Sequence, residues 1–145
     1  MLTRVQARDE ILALVKGVTD TITDLLVVWD DTKQVAPDPA AAGDRPRTWV
    51  RATVQHLVSE QAALAGADSQ RMYTRRGLVT LQLFTPNGDG LVSNDTISTQ
   101  LQEALQGISS PGGVWFRNAR ANEVGQTGPW FQSNILTDFE YDSIA

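Results

Sequence analysis

The sequence predicts an α+β fold: a mostly antiparallel sheet with two helices packed on one face, and long loop arms. Three observations predict it. Two segments, 5–22 and 97–108, repeat apolar residues at roughly helical spacing. Others alternate with a period of two or form short β-branched and aromatic blocks. Their order is helix, strand, long loop, strands, helix, strands. The strand–helix–strand alternation that marks a parallel sheet is missing. The 145 residues suit a single domain, 1–145, and suffice to bury a core without staples.

The elements follow in order. Thr3 is a plausible N-cap for the first helix. Val5, Ile11, Leu12, Val15 and Val18 or Ile22 form its stripe, and its end is expected either at Gly17 or near Ile22. The block 25–29, bounded by Asp30 and Asp31, reads as a buried strand. Pro37, Pro39 and Pro46 make 30–47 a long loop, a natural arm for reaching a neighbour. Residues 48–58 alternate, with Val50, Ala52, Val54, His56 and Val58 on one face. A linker is expected over 59–69.

The stretch 70–84 is a strand pair or one bent strand, interrupted at Gly77, and 85–90 is dense in turn residues. Ser93, Asn94 and Asp95 are three N-cap candidates for the second helix, whose stripe is Ile97, Leu101, Ala104, Leu105 and Ile108. A strand starts at 114–116. Residues 118–128, polar and holding two glycines, are expected to be a hairpin tip or second arm. The last strand, 130–141, places Phe131, Ile135, Phe139 and Tyr141 on its apolar face.

Chemistry is sparse. The chain has no cysteine and one histidine, His56, so neither a disulfide framework nor a histidine-based zinc site is available. His56 would have to serve in any nucleophile–base set, and its place between Val54 and Val58 reads as a satisfied, half-buried histidine. The turn at 87–95 fails the spacing of a calcium loop, and no phosphate-binding glycine motif is present. No cofactor is expected and the chain does not read as an enzyme. Asp138, Glu140 and Asp142 line one strand face as an acidic ladder, which suits a solvated or lumen-facing stripe better than a metal site. Arg71, Tyr73, Arg75 and Arg76 form a local basic–aromatic cluster, a candidate contact to another subunit or to phosphate. The net charge of −5 argues against tight duplex binding. No apolar run is long enough for a membrane helix and the first ten residues lack the pattern of a signal peptide, so action inside a cell, or a particle made there, is expected.

One resemblance rests on residues spread over most of the chain. The first helix leads to a strand ending Val28-Trp29, and Trp49-Val50-Arg51 opens another. The segment 75–90 runs from two arginines and Gly77 through an apolar strand to Pro86, Gly88 and Gly90, just before a helix. The Trp130 strand ends Phe139-Glu140-Tyr141-Asp142. In this order the chain resembles the tail-terminator proteins of phages with long non-contractile tails and of gene transfer agents. The resemblance implies a homohexameric ring on the last ring of the tail tube, which stops tube polymerisation and meets the head connector. Its partners would be further copies of itself, the tail tube protein and a head-closure or connector protein. It would act in the neck of a virion assembled in a bacterial cytoplasm. DNA would pass through the lumen without specific binding, with Asp138 and Glu140 as lumen-facing candidates. The alternatives are another neck component of the same particle, or a small metal-dependent hydrolase built on the acidic ladder.

Overall fold

The computed structural model describes residues 2–22, 25–29, 48–64, 71–86 and 91–144. The loops expected at 30–47, 65–69 and 87–90 lie outside the described residues. Two helices, α1 (Arg4–Thr19) and α2 (Leu91–Leu105), cover one five-stranded sheet. The strands are β1 (Leu26–Trp29), β2 (Trp49–Leu64), β3 (Arg71–Pro86), β4 (Trp115–Thr127) and β5 (Trp130–Ile144), in the order β1-β2-β3-β5-β4. Only β1 and β2 run parallel; every other neighbouring pair is antiparallel. The α+β reading holds.

Thr3 caps α1 as the sequence suggests. Its hydroxyl accepts from the Gln6 amide and the Gln6 side chain accepts from the Thr3 amide, closing a capping box. The helix runs through Gly17 to Thr19. Its buried stripe is Ala7, Ile11, Val15 and Val18, whereas Val5, read as part of the stripe, is 71% exposed. Spacing explains this: Ala7, Ile11, Val15 and Val18 follow one another every three or four residues, and Val5 falls off that line. In α2, Leu101 and Leu105 are fully buried, with Ile97, Ala104 and Ile108 packed beside them. The helix gives out at Leu105, and Gly107 takes a positive φ of 74° that costs glycine little.

Both helices close over one apolar face, made by Val50, Ala52, Val54, Val79, Leu81, Leu83, Phe116, Ile135, Phe139 and Tyr141. Alternation sends the neighbouring residues to the other face. There Trp49, Phe84 and Trp130 form a second cluster with Val28. Trp49 stacks on Phe84 at 4.2 Å and meets Trp130 edge-on at 6.0 Å.

Four expectations need correction. Residues 118–127 are no loop arm: they belong to β4, hydrogen-bonded along β5. Both faces of this edge strand are largely solvated, so no alternation shows in its sequence. Residues 59–64 continue β2 instead of forming a linker. A bulge between His56 and Val58 breaks the parity there and leaves Val58 45% exposed. Gly77 does not interrupt β3, which is one strand of 16 residues. Asn94 is not an N-cap but lies within α2, fully buried.

Candidate functional site

The apolar end of the core facing the α1 N-terminus changes into a polar site around His56. The histidine is half-buried, with Phe139 and Tyr141 edge-on to its ring at 5.2 and 5.7 Å. Arg8 reaches over from α1, donating to the Val54 carbonyl at 3.2 Å and meeting His56 Nδ1 at 3.3 Å. A guanidinium can only donate, so Nδ1 accepts and the ring proton sits on Nε2. Nε2 therefore donates to the Tyr141 hydroxyl, 2.7 Å away. Tyr141 keeps its own proton to give.

Burial first, then the charges of Arg4, Arg8 and Arg75, hold the His56 pKa down at about 4. Burial pushes the Tyr141 phenol up. His56 is thus neutral near pH 7, as a satisfied structural histidine should be. The linkage has a definite sign. The unfolded chain takes up the proton near pH 6.5 and the folded chain only near 4, so stability is lost as pH falls through that window. Urea midpoints measured at several pH values should fall with acidification from 6.5 to 4, and His56→Gln should flatten that slope. An equal slope in the variant would reject this origin.

The arginines at 75 and 76 do not act together. Adjacent strand residues point to opposite faces, so the expected basic cluster is split. Arg75 lies on the helix side, donating from Nε to the Ser143 hydroxyl at 2.7 Å, with its guanidinium 5.8 Å from the centre of the Tyr73 ring. Arg71 opens β3 opposite Leu64, and its side chain lies outside the described residues.

Arg76 lies on the other face, directly across from Glu140, at 3.4 Å. Arg117 also pairs with Glu140. Arg120 approaches Asp138 at 3.4 Å, and the Asn118 amide donates to the same carboxylate. Three arginines thus meet two carboxylates, so with Asp142 the stripe read as acidic holds three positive and three negative groups. Asp142, the third member of the ladder, accepts from the Thr74 hydroxyl at 3.1 Å. Each carboxylate so has its own protein partner. Among the described residues, no group of three or more His, Cys, Asp or Glu could hold a metal ion.

Beside this ladder, a shallow groove of about 520 Å³ crosses the sheet at Gly77, lined by Leu57, Val58, Arg76, Arg117 and Asp138. Leu57 is 57% and Trp115 51% exposed, and Arg117 lies 5.4 Å from the centre of the Trp115 ring. The roles of Arg8, Arg117 and Arg120 were not visible in the sequence. Their partners are set by strand register and helix docking, which local spacing does not encode.

No protein-family model matches the chain. No curated protein matches it. Chains of known structure do. One superposes with a TM-score of 0.64 over 97% of this chain and 96% of its own length, at 20% sequence identity. At that identity the likeness shows a shared fold. Among the described residues, no helix is long and apolar enough to cross a membrane.

Proposed function

We propose that this chain is a tail terminator: a ring-forming virion protein that caps the head-proximal end of a phage-type tail tube and joins it to the head connector. The observation that carries this reading is the outer edge of the sheet. β4 is 13 residues long and exposed along most of its length; among the described residues its one partner strand is β5, and its outer side is met only near its start, where Trp115 bridges Ser109, Phe116 donates to the Ile108 carbonyl and Gln102 donates to the Ala119 carbonyl. An edge of that length is a template for another chain unless it is managed. Bulges between Arg117 and Arg120 and between Glu123 and Gly125 bend it, which disfavours indiscriminate strand addition while leaving a shaped surface for one neighbour. Contact of this edge with a different surface on the next copy is heterologous, and such contacts close into rings when the rotation per subunit allows.

The described residues also offer no assembled nucleophile, base and orienter, since His56 is committed to Arg8 and Tyr141. In this reading Asp138 and Glu140 remain the lumen candidates, held by their arginine partners, and the DNA passes charge-matched walls. Arg76 and Arg117, beside the exposed Trp115, are candidates for contact with the tube or connector.

The test is direct. Light scattering should find a hexamer of about 95 kDa, six copies of a 15.8 kDa chain, alone or with tube protein. Electron microscopy should show it at tube ends. A chain that stays monomeric and never binds tube ends overturns the reading. Binding to head portals instead of tubes would make it another neck component.

A further inference from the structure

Where the N-terminus of α1 meets the β2 bulge lies a cleft of about 130 Å³ lined by Arg4, His56, Leu57, Val58, Ser59 and Arg75. That volume suits one small anionic group. The polar groups around it are nearly all donors. Arg4 is exposed and in no hydrogen bond or ion pair among the described residues. Among the described residues Arg75 spends only Nε, on Ser143, and keeps its two terminal nitrogens. Arg8 stands behind, bound to a carbonyl and to His56. Tyr141 retains a proton to donate. None of the three arginines pairs with a carboxylate among the described residues, although the chain as a whole holds 17 acidic residues to 12 basic ones. Arg4 and Arg75 line the open cleft with Arg8 behind them, and among the described residues this group of cations has no counter-charge.

Asp95 and Glu123 are exposed and in no ion pair among the described residues. Glu123 stands opposite Ser133 in the β4–β5 register, and the Ser133 hydroxyl donates to Asn94, the neighbour of Asp95. The two carboxylates therefore share the flank formed by α2 and the β4 edge. The cleft belongs to α1, β2 and β3, on the other side of the helix pair. Every copy so carries one half of a charge pair on each of two different surfaces, which is the requirement of a heterologous contact.

We propose that the Arg4–His56–Arg75 cleft is an oxyanion-binding site whose occupant is a carboxylate of the α2–β4 flank, Asp95 or Glu123, of a second copy of this chain. This rests on the ring reading and adds the two surfaces that meet in it.

The test reverses each flank. One variant, R4E/R75E, makes both surfaces acidic; the other, D95K/E123K, makes both basic. R4E alone serves as a milder companion, because the Arg4 side chain makes no hydrogen bond among the described residues. Self-association is followed by sedimentation at low salt, where such contacts are least screened. Each reversed variant should associate at least tenfold more weakly with itself than the wild type does. An equimolar mixture of the two should regain association, since their copies can alternate. Adding inorganic phosphate should compete with wild-type association. A mixture that associates no better than its components overturns the proposal, as does R4E assembling like the wild type. Tube ends capped as well by R4E/R75E and D95K/E123K as by the wild type overturn the cleft pairing and leave the terminator reading intact. Flank-dependent association without any binding to tube ends does the opposite.

Discussion

Gly77→Ala should cost about 3 kcal/mol of folding stability, a large effect for a single methyl group. A Cβ at this position would run into the Gln55 carbonyl oxygen and the ring of Phe139. Gly77 sits opposite His56 on one side and Phe139 on the other, where the β2 bulge brings the backbone close. The backbone oxygen has no room to retreat without breaking the ladder, and the ring is nearly fully buried. Phe139→Ala alone should cost about 4 kcal/mol through the cavity it leaves. The double variant should cost less than the sum, because removing the ring clears half of the clash. Urea unfolding followed by circular dichroism measures all three. A Gly77→Ala variant within about 0.5 kcal/mol of the wild type would show that the sheet relaxes there without strain.

The second large effect is expected at Asn94. Its Nδ2 donates to the Thr85 hydroxyl at 3.1 Å and to the Phe131 carbonyl at 3.4 Å, and its Oδ1 accepts from Ser133 at 2.5 Å. Asn94, Thr85 and Ser133 are all buried, so this polar knot ties α2 to β3 and β5 within the core. Asn94→Asp keeps the shape but turns the donor into an oxygen. The oxygen that replaces Nδ2 then faces the Phe131 carbonyl, which it can only repel, and the carboxylate's charge is held out of water. The loss should be about 3 kcal/mol at pH 7. It should narrow as pH falls, because a buried carboxyl holds its proton more tightly folded than unfolded and the protonated form can donate again. Comparing the wild-type and variant denaturation midpoints at pH 7 and pH 4.5 checks the direction. A deficit independent of pH would mean that packing, not protonation, is responsible.

Asn94 also shows where sequence reasoning stops. With Ser93 and Asp95 it looks like an N-cap, since these residue types serve there. Its burial depends on Thr85 and Ser133, which reach it only once β3 and β5 are paired. The α2 stripe around Leu101 and Leu105 was legible because a helix writes its buried face into local spacing. The strand 49–56 was legible for the same reason at a period of two. β4 was legible only at its start, 114–116, because the rest of an edge strand whose faces both meet water needs no alternation. The site divides along the same line. His56 could be read as half-buried and satisfied from its neighbours Val54 and Val58, but not that Arg8 and Tyr141 satisfy it. The acidic ladder was visible as three carboxylates two apart. Its neutralisation by Arg76, Arg117 and Arg120 is a product of register.

The strand order carries a consequence for biosynthesis. β5 lies between β3 and β4 and is hydrogen-bonded to both along nearly its whole length. It is also translated after the other four strands. While it is still inside the ribosome, β1, β2 and β3 can pair, but β3 has an open edge and β4 has no partner at all. The half-built sheet then exposes Val79, Leu81, Leu83 and Phe116, which are fully buried in the finished fold. Nascent chains of this protein should therefore depend on ribosome-bound chaperones until β5 emerges. Slow codons just before residue 130 would prolong the aggregation-prone stage.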